Sequence, residues 1–378
     1  MQLDEIKNKT SKKNLVSLAN SIRKYFNLEL YHESLPNLDK ILEENNPDNV
    51  IVMLFDGMGN CFLDRYLDKE SFFIQNRIDV ISSVYPPTTA AATTSVRSGL
   101  EPSESGMTGW WKYVPDIDKV VTAFIGREKE LLDEGNINPE YEGLRKKLYL
   151  DKSISKEIIE CGGDSVEFFP FETNGATLYD VNNENELYDK VYNYTKRPGK
   201  KFIYAYDPEP DHAMHLNGCD SEIVINMIKE RNRKVKELCK RLENSVVIVI
   251  ADHGHVNIDN NIDMLNYKDF NDTLRLPINI EGRTPNFFVK ENRENEFVEL
   301  FNKYFSEHFY LYTKEEIRNS KIFGDNEIEG LWDTFGEYIA IAKDNTTLTD
   351  DKVFLISHHG GPSDDEIYVP LIVKTLKK

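Results

Sequence analysis

Cysteine is scarce in this chain of 378 residues: Cys61, Cys161, Cys219 and Cys239 are scattered, with no CxxC pair. Thiols spaced this way read as reduced and mostly structural, in a cytoplasmic protein. No apolar run approaches the roughly 18 residues of a membrane helix, so no membrane partner is expected. The opening residues, MQLDEIKNKTSKKN, lack the apolar stretch of a secretory signal. Positive charge is also short. Lys and Arg number 46 against 65 Asp and Glu, a net charge of −19. That balance argues against duplex nucleic acid, whose phosphates need clustered Lys and Arg. It does not argue against a small phosphorylated substrate, because bound divalent metal reverses the sign locally. There is no internal repeat and no low-complexity segment.

What is present suits a large soluble core, with one big domain or one domain plus an insertion. Hydrophobic residues make up 40% and charged residues 29%, an ordinary globular mixture. Short apolar runs at 49–55, 201–206 and 246–251 read as strands buried on both faces, as in a parallel sheet. Further strands are expected at 78–84, 120–124, 286–289, 337–342 and 353–356, with 367–373 closing the sheet. Helices are expected over 11–27, 153–161, 185–195 and 293–304, and from near Lys314. The clearest helix spans 220–242, where Val224, Ile228, Val235, Leu238 and Leu242 form one stripe. Residues 126–150 read as a charged loop with a helical piece. The alternation of strand and helix breaks over 282–333, which reads as a small α+β insertion or cap. The rest, 1–281 and 334–378, forms the main α/β domain.

The stretch Ser83 to Gly106 organises the rest. Pro86-Pro87 disfavours helix just before Thr88-Thr89, and a run of small residues then permits one up to a natural stop at Gly99. Either threonine could be only an N-cap. A hydroxyl at that join also lies where free backbone N–H groups favour an anion.

Beyond the strand ends lie Asp56, Asp211, His215, Asp252, His253 and His358-His359. Four strand ends carrying Asp or His are hard to explain by capping, which draws on Ser and Asn as readily. Carboxylates and imidazoles without thiolate suit a di-zinc or di-manganese centre. Such a pair clamps the attacking and leaving oxygens of a phosphoryl transfer, and can activate a threonine hydroxyl.

The motifs VIVMLFDGMG, PPTTAAATTSVRSGLEPSESGM, YAYDPEPDHAMH, VIVIADHG and HHGGPSDDEIYVPLIV run in order from residue 50 to residue 373. Together they resemble the alkaline phosphatase superfamily, and within it the type I phosphodiesterase / nucleotide pyrophosphatase branch. The resemblance implies a three-layer α/β fold with a mostly parallel central sheet. It implies a hydrolase of phosphoric ester or pyrophosphate bonds, working through a phospho-threonine on a small phosphorylated substrate such as a nucleotide. Counting back from Ser98-Gly99-Leu100, it puts the nucleophile on Thr89 rather than Thr88. Two divalent ions, Zn2+ or Mn2+, would be held by Asp56, Thr89, Asp252 and His253, and by Asp211, His215 and His359. His212, His255 and His358 are left with supporting or structural roles.

The chain also departs from the pattern. The asparagine that eukaryotic members carry three residues after the nucleophile is Ala92 here. The phosphate-binding arginine of true alkaline phosphatases has no counterpart in register, which leaves Arg97 and Arg127 as candidates. Trp110, Trp111 and Tyr113 could stack on a substrate base or pack in the core. The alternatives are a phosphomonoesterase or transferase at the same centre and, from another class, a metal-binding protein without turnover.

Overall fold

The computed structural model describes residues 3–122, 128–129, 152–171, 175–183, 185–350 and 354–377. Its core is the Asn49–Phe55 strand, NVIVMLF, buried along its whole length. This strand pairs in parallel with Ser245–Ile250 on one side and Lys201–Asp207 on the other. Asp164–Phe169 and Thr177–Leu178 extend the parallel set beyond Lys201–Asp207. Tyr368–Leu376 does not close the sheet at its edge. It runs antiparallel between Ser245–Ile250 and Arg77–Ser82, so Arg77–Ser82 points the same way as the parallel strands. The central sheet therefore has seven strands, of which one is reversed.

Strands buried on both faces need cover on both faces, and two groups of helices provide it. Leu15–Tyr25 packs with Pro36–Asn45 and Thr89–Ser98 in one group, and Glu222–Arg241 packs with Asn60–Tyr66, Phe72–Asn76 and Glu186–Thr195 in the other. The stripe Val224, Ile228, Val235, Leu238 and Leu242 is buried as its spacing requires.

A second sheet, antiparallel throughout, is ordered Phe309–Thr313, Tyr338–Ala342, Thr284–Phe287, Asn279–Glu281, Trp111–Val114, Lys119–Thr122 and Glu128–Lys129. Helix Glu294–Tyr304 backs it through a cluster of Phe270, Phe287, Phe297, Phe301 and Phe305. The expected insertion, 282–333, holds two of these strands and the helices Glu294–Tyr304 and Lys314–Ser320. The other five strands of that sheet lie outside 282–333. Two expected strands behave differently from the reading. Tyr338–Ala342 joins this second sheet, and residues 354–356 form no strand. The chain instead pairs at Ser357–His358 with Val256–Asn257, which seats the histidine pair against the loop after Ser245–Ile250. Most of 126–150 lies outside the described residues. Among the described residues no helix is long and apolar enough to cross a membrane, and all four cysteines are free thiols.

Candidate active site

Three parallel strands end side by side at the edge where open α/β sheets place ligands. Asn49–Phe55 delivers Asp56, Ser245–Ile250 delivers Asp252 and His253, and Lys201–Asp207 turns into the helix Asp211–Asn217. Backbone bonds lock the turns together, from Asp56 N to Asp207 O at 2.9 Å and from Asp211 N to Asp56 O at 3.0 Å. Gly57 has φ +71°, and a Cβ there would stand 2.9 Å from Asp211 Cα. Only glycine lets these two acidic turns approach so closely.

Thr89 is the first residue of the helix Thr89–Ser98, which stops at Gly99 with φ +83°. Its hydroxyl lies 3.2 Å from His253 Nε2 and 3.4 Å from Asp56 Oδ1. Tyr206 donates to the other oxygen of Asp56. Asp252 Oδ1 accepts from the N–H groups of Gly57 at 3.1 Å and His253 at 2.9 Å. Its Oδ2 is buried without a partner. Asp56, Asp252 and His253 each offer a ligand atom within 4.8 Å of the others.

Three histidines share one orientation. Nδ1 of His253 donates to Gly254 O at 3.0 Å, that of His215 to Ser357 O at 2.8 Å, and that of His359 to Pro87 O at 3.2 Å. A carbonyl can only accept, so Nδ1 carries a proton, and in the neutral ring Nε2 keeps its lone pair. Those lone pairs are turned toward carboxylates. His253 Nε2 lies 3.3 Å from Asp56 Oδ1, and Nε2 of His215 and His359 lie 3.4 and 3.8 Å from Asp211 Oδ1.

His255, set aside in the sequence reading, also belongs here. Its Nε2 is 2.5 Å from Asp211 Oδ1, and Asp211, His253, His255 and His359 form a second group of candidate ligands. The signal was the spacing Asp252-His253-Gly254-His255, because a bend at the glycine returns the second imidazole to the same side.

The electrostatics of the site are those of a negatively charged pocket. Burial pushes the Asp56 carboxyl well above its usual range, and the charges of Asp252 and Asp211 push the same way. Burial also raises Asp252, against the His253 imidazole and the Gly57 N–H. For Asp211 burial acts upward too, but His215 and His255 outweigh it and hold the carboxyl below the usual range. Burial brings His255 down to about 4, and burial with neighbouring imidazoles lowers His358 and His359. Buried carboxylates crowded together, one oxygen without a partner and a set of aimed Nε2 lone pairs form a donor set that fits hard or borderline divalent cations.

Thr88 has a different partner. It occupies the N-cap position of the Thr89–Ser98 helix yet makes no side-chain cap bond. Its hydroxyl donates to Glu281 Oε1, which also accepts the Trp110 N–H at 3.1 Å. The Glu281 carboxyl thus takes the hydroxyl that a threonine at this position would otherwise turn to its own helix. Burial pushes the Glu281 carboxyl up to about 7, against these two hydrogen bonds.

The site opens into a cleft of about 680 Å³ whose walls include Trp110, Trp111, Phe171, Val181, Lys129 and Glu281. Trp110 and Trp111 line it, and Tyr113 packs against Phe288 instead. Arg97 is a correction. Its guanidinium is 2.6 Å from Glu167 and lies over the Phe169 ring, away from the cleft lining, because burying Glu167 requires a cation beside it. Arg127 lies outside the described residues. A cation the sequence reading did not single out, Lys129, does line the cleft, paired at 2.6 Å with Asp350 and 5.1 Å from the Trp111 ring.

Comparison with known proteins gives a consistent picture. The chain matches the family described as type I phosphodiesterase / nucleotide pyrophosphatase over residues 50–361. No curated protein matches it by sequence. Among solved structures it is similar to murine ectonucleotide pyrophosphatase / phosphodiesterase 5 in an inactive form complexed with AMP, at 18% identity and a TM-score of 0.64. That match covers 85% of this chain and 87% of the other. The human ectonucleotide pyrophosphatase / phosphodiesterase 5 is similar at 17% identity and a TM-score of 0.65, over 87% of this chain and 90% of the other. Likeness at this identity speaks to the fold.

Proposed function

The chain belongs to the type I phosphodiesterase / nucleotide pyrophosphatase family and is a hydrolase of phosphodiester or pyrophosphate bonds; on that premise we propose that it works through a covalent phospho-threonine on Thr89, beside two divalent cations. One cation would be held by Asp56, Thr89, Asp252 and His253, the other by Asp211, His215 and His359, with His255 fixing Asp211. When bound, the pair supplies positive charge to the oxygens of the reacting phosphoryl group. The observation that carries the reading is the Thr89 hydroxyl, 3.2 Å from His253 Nε2 and 3.4 Å from Asp56 Oδ1, at the mouth of a buried acidic pocket.

The chain's own residues account for the rest. Thr89 is held at the start of a helix whose positive end faces the anion. Its oxygen bonds to phosphorus as the bond to the leaving oxygen breaks, and the proton it gives up ends on that leaving oxygen. Water then cleaves the phospho-threonine and restores the hydroxyl. Tyr206 and the Gly57 N–H hold the carboxylates of Asp56 and Asp252 in place. Trp110 and Trp111 offer flat faces to an organic group, and a nucleotide is the substrate class we favour.

Diesters rather than monoesters suit the cleft, because its cation Lys129 is already paired with Asp350 and a monoester brings one more charge. The test is to mix enzyme with an aryl phosphodiester, quench in acid and map the adduct by mass spectrometry. The expected result is one phosphoryl ester on Thr89 and none in Thr89→Ala, with elemental analysis finding two divalent ions in both. Full turnover by Thr89→Ala, or full activity in chelator, would sink the proposal.

A further inference from the structure

Glu281 belongs to the second sheet, yet it reaches the turn that carries Thr89. It ends the Asn279–Glu281 strand, is 6% exposed and lines the cleft. One oxygen, Oε1, takes both the Thr88 hydroxyl and the Trp110 N–H. The chain at Gly360 crosses directly over it: a Cβ there would lie 2.8 Å from both Cβ and Cγ of Glu281. The carboxyl is therefore fixed by its own strand on one side and by backbone next to His359 on the other. Thr88 has extended backbone, φ −141° and ψ 147°, the conformation from which a threonine ordinarily caps a helix.

We infer that Glu281 is a positioning residue for the reaction at Thr89: it keeps the Thr88 hydroxyl out of the helix cap, so that the first-turn N–H groups stay open to the phosphoryl oxygen. This inference rests on the proposed function of the same site. The first turn after Thr89 is Ala90, Ala91 and Ala92, fully buried side chains with nothing to offer an oxygen. Backbone donors held open can take that role, and an oxygen acceptor at the Glu281 position keeps them open. The Thr89 hydroxyl at the helix start stands beside Asp56 and His253, next to Asp252 Oδ2, which has no hydrogen-bond partner, so the helix end and the buried carboxylates converge on one point. Glu281 acts through Thr88 and Trp110.

The experiment compares steady-state hydrolysis of an aryl phosphodiester by the metal-loaded protein and its variants. Glu281→Ala should lower kcat at least tenfold with KM changed less than threefold and metal content unchanged. Glu281→Asp keeps the charge but withdraws the acceptor from Thr88, and should be equally impaired. Glu281→Gln keeps an acceptor oxygen in place and should restore kcat to within about threefold of wild type. Adding Thr88→Val to Glu281→Ala removes the competing cap and should raise kcat several-fold above the single variant. Glu281→Ala or Glu281→Asp with wild-type kcat, a Gln variant as poor as Ala, or no recovery in the double variant would overturn the inference. If Glu281→Ala does not fold, the contrast between the Gln and Asp variants decides. A wild-type protein without turnover would overturn the proposed function itself, a result distinct from wild-type turnover with indifferent Glu281 variants.

Discussion

The ligand sets proposed for the two cations differ in their distance from water. Side chains of Asp56, Asp252 and His253 are 2%, 0% and 0% exposed, whereas Asp211, His215 and His359 are 15%, 15% and 7% exposed. The sealed group grows from two central strands and lies under Thr89. The open group is assembled from a short helix and a late loop, and it faces the cleft. Charge is arranged oppositely in the two. Burial raises both Asp56 and Asp252, with the Asp252 charge adding to the rise of Asp56, whereas Asp211 is lowered by His215 and His255 against its own burial. The contrast teaches that the sealed half crowds buried carboxylates together, whereas in the open half a single carboxylate stands among imidazoles.

The largest test of that contrast is catalytic. Asp252→Asn should reduce kcat/KM on the order of a thousandfold, because the sealed group has no spare carboxylate and Asp56 alone remains. Asp211→Asn should cost less, since the imidazoles around it, His215, His255 and His359, stay in place. Equal losses measured on the same diester substrate would erase the distinction.

A second comparison uses histidine. His215→Ala opens a position near solvent, so excess Zn2+ or Mn2+ in the assay should recover a large part of the activity. His253→Ala leaves a hole beneath the ring of His359, whose centroid is 3.9 Å away, and added metal should not help. Recovery in both variants, seen in metal titrations of kcat, would mean that the sealed group exchanges as freely as the open one.

The smallest effect is on stability, and here the two groups should differ in sign. In chelated protein a raised carboxyl stabilises only while protonated, so Asp252 costs stability as pH rises above about 4 through its elevated folded pKa. Asp252→Asn should then be more stable than wild type at neutral pH, by about 1–3 kcal/mol, and the difference should shrink on acidification. A lowered carboxyl contributes stability above about 4 that is lost as pH falls through its folded pKa. Asp211→Asn should therefore be less stable than wild type at neutral pH. Urea unfolding at a series of pH values reads both. Shifts of the same sign would show that the opposite polarisation of the two groups is not felt by the fold.

Much of this molecule was legible in the chain itself. The strands Asn49–Phe55, Lys201–Asp207 and Ser245–Ile250 are apolar runs of strand length that are buried as such runs demand. The helix Thr89–Ser98 begins and ends where its threonine pair and Gly99 direct. Asp56, Asp211, His215, Asp252, His253 and the pair His358-His359 were singled out by order along the chain, and resemblance to the family picked His359 from the pair. Three things were not legible because they depend on contacts between distant segments. Arg97 and Glu167 are 70 residues apart, and only their packing together removes the arginine from the candidate substrate ligands. Tyr368–Leu376 has the composition of any buried strand, and its reversed insertion follows from pairing with Arg77–Ser82.

Glu281 is one of many acidic residues in a chain with net charge −19, and nothing local marks it. Residue types and their spacing determine which elements form and which strand ends carry chemistry, because those are matters of burial pattern and local backbone preference. Which oxygen Thr88 answers to, and which carboxylates crowd together, was decided only when folding across a separation of 193 residues brought the second sheet against the first. Hydrogen bonds and charges act over a few ångströms, and only the tertiary structure sets those distances.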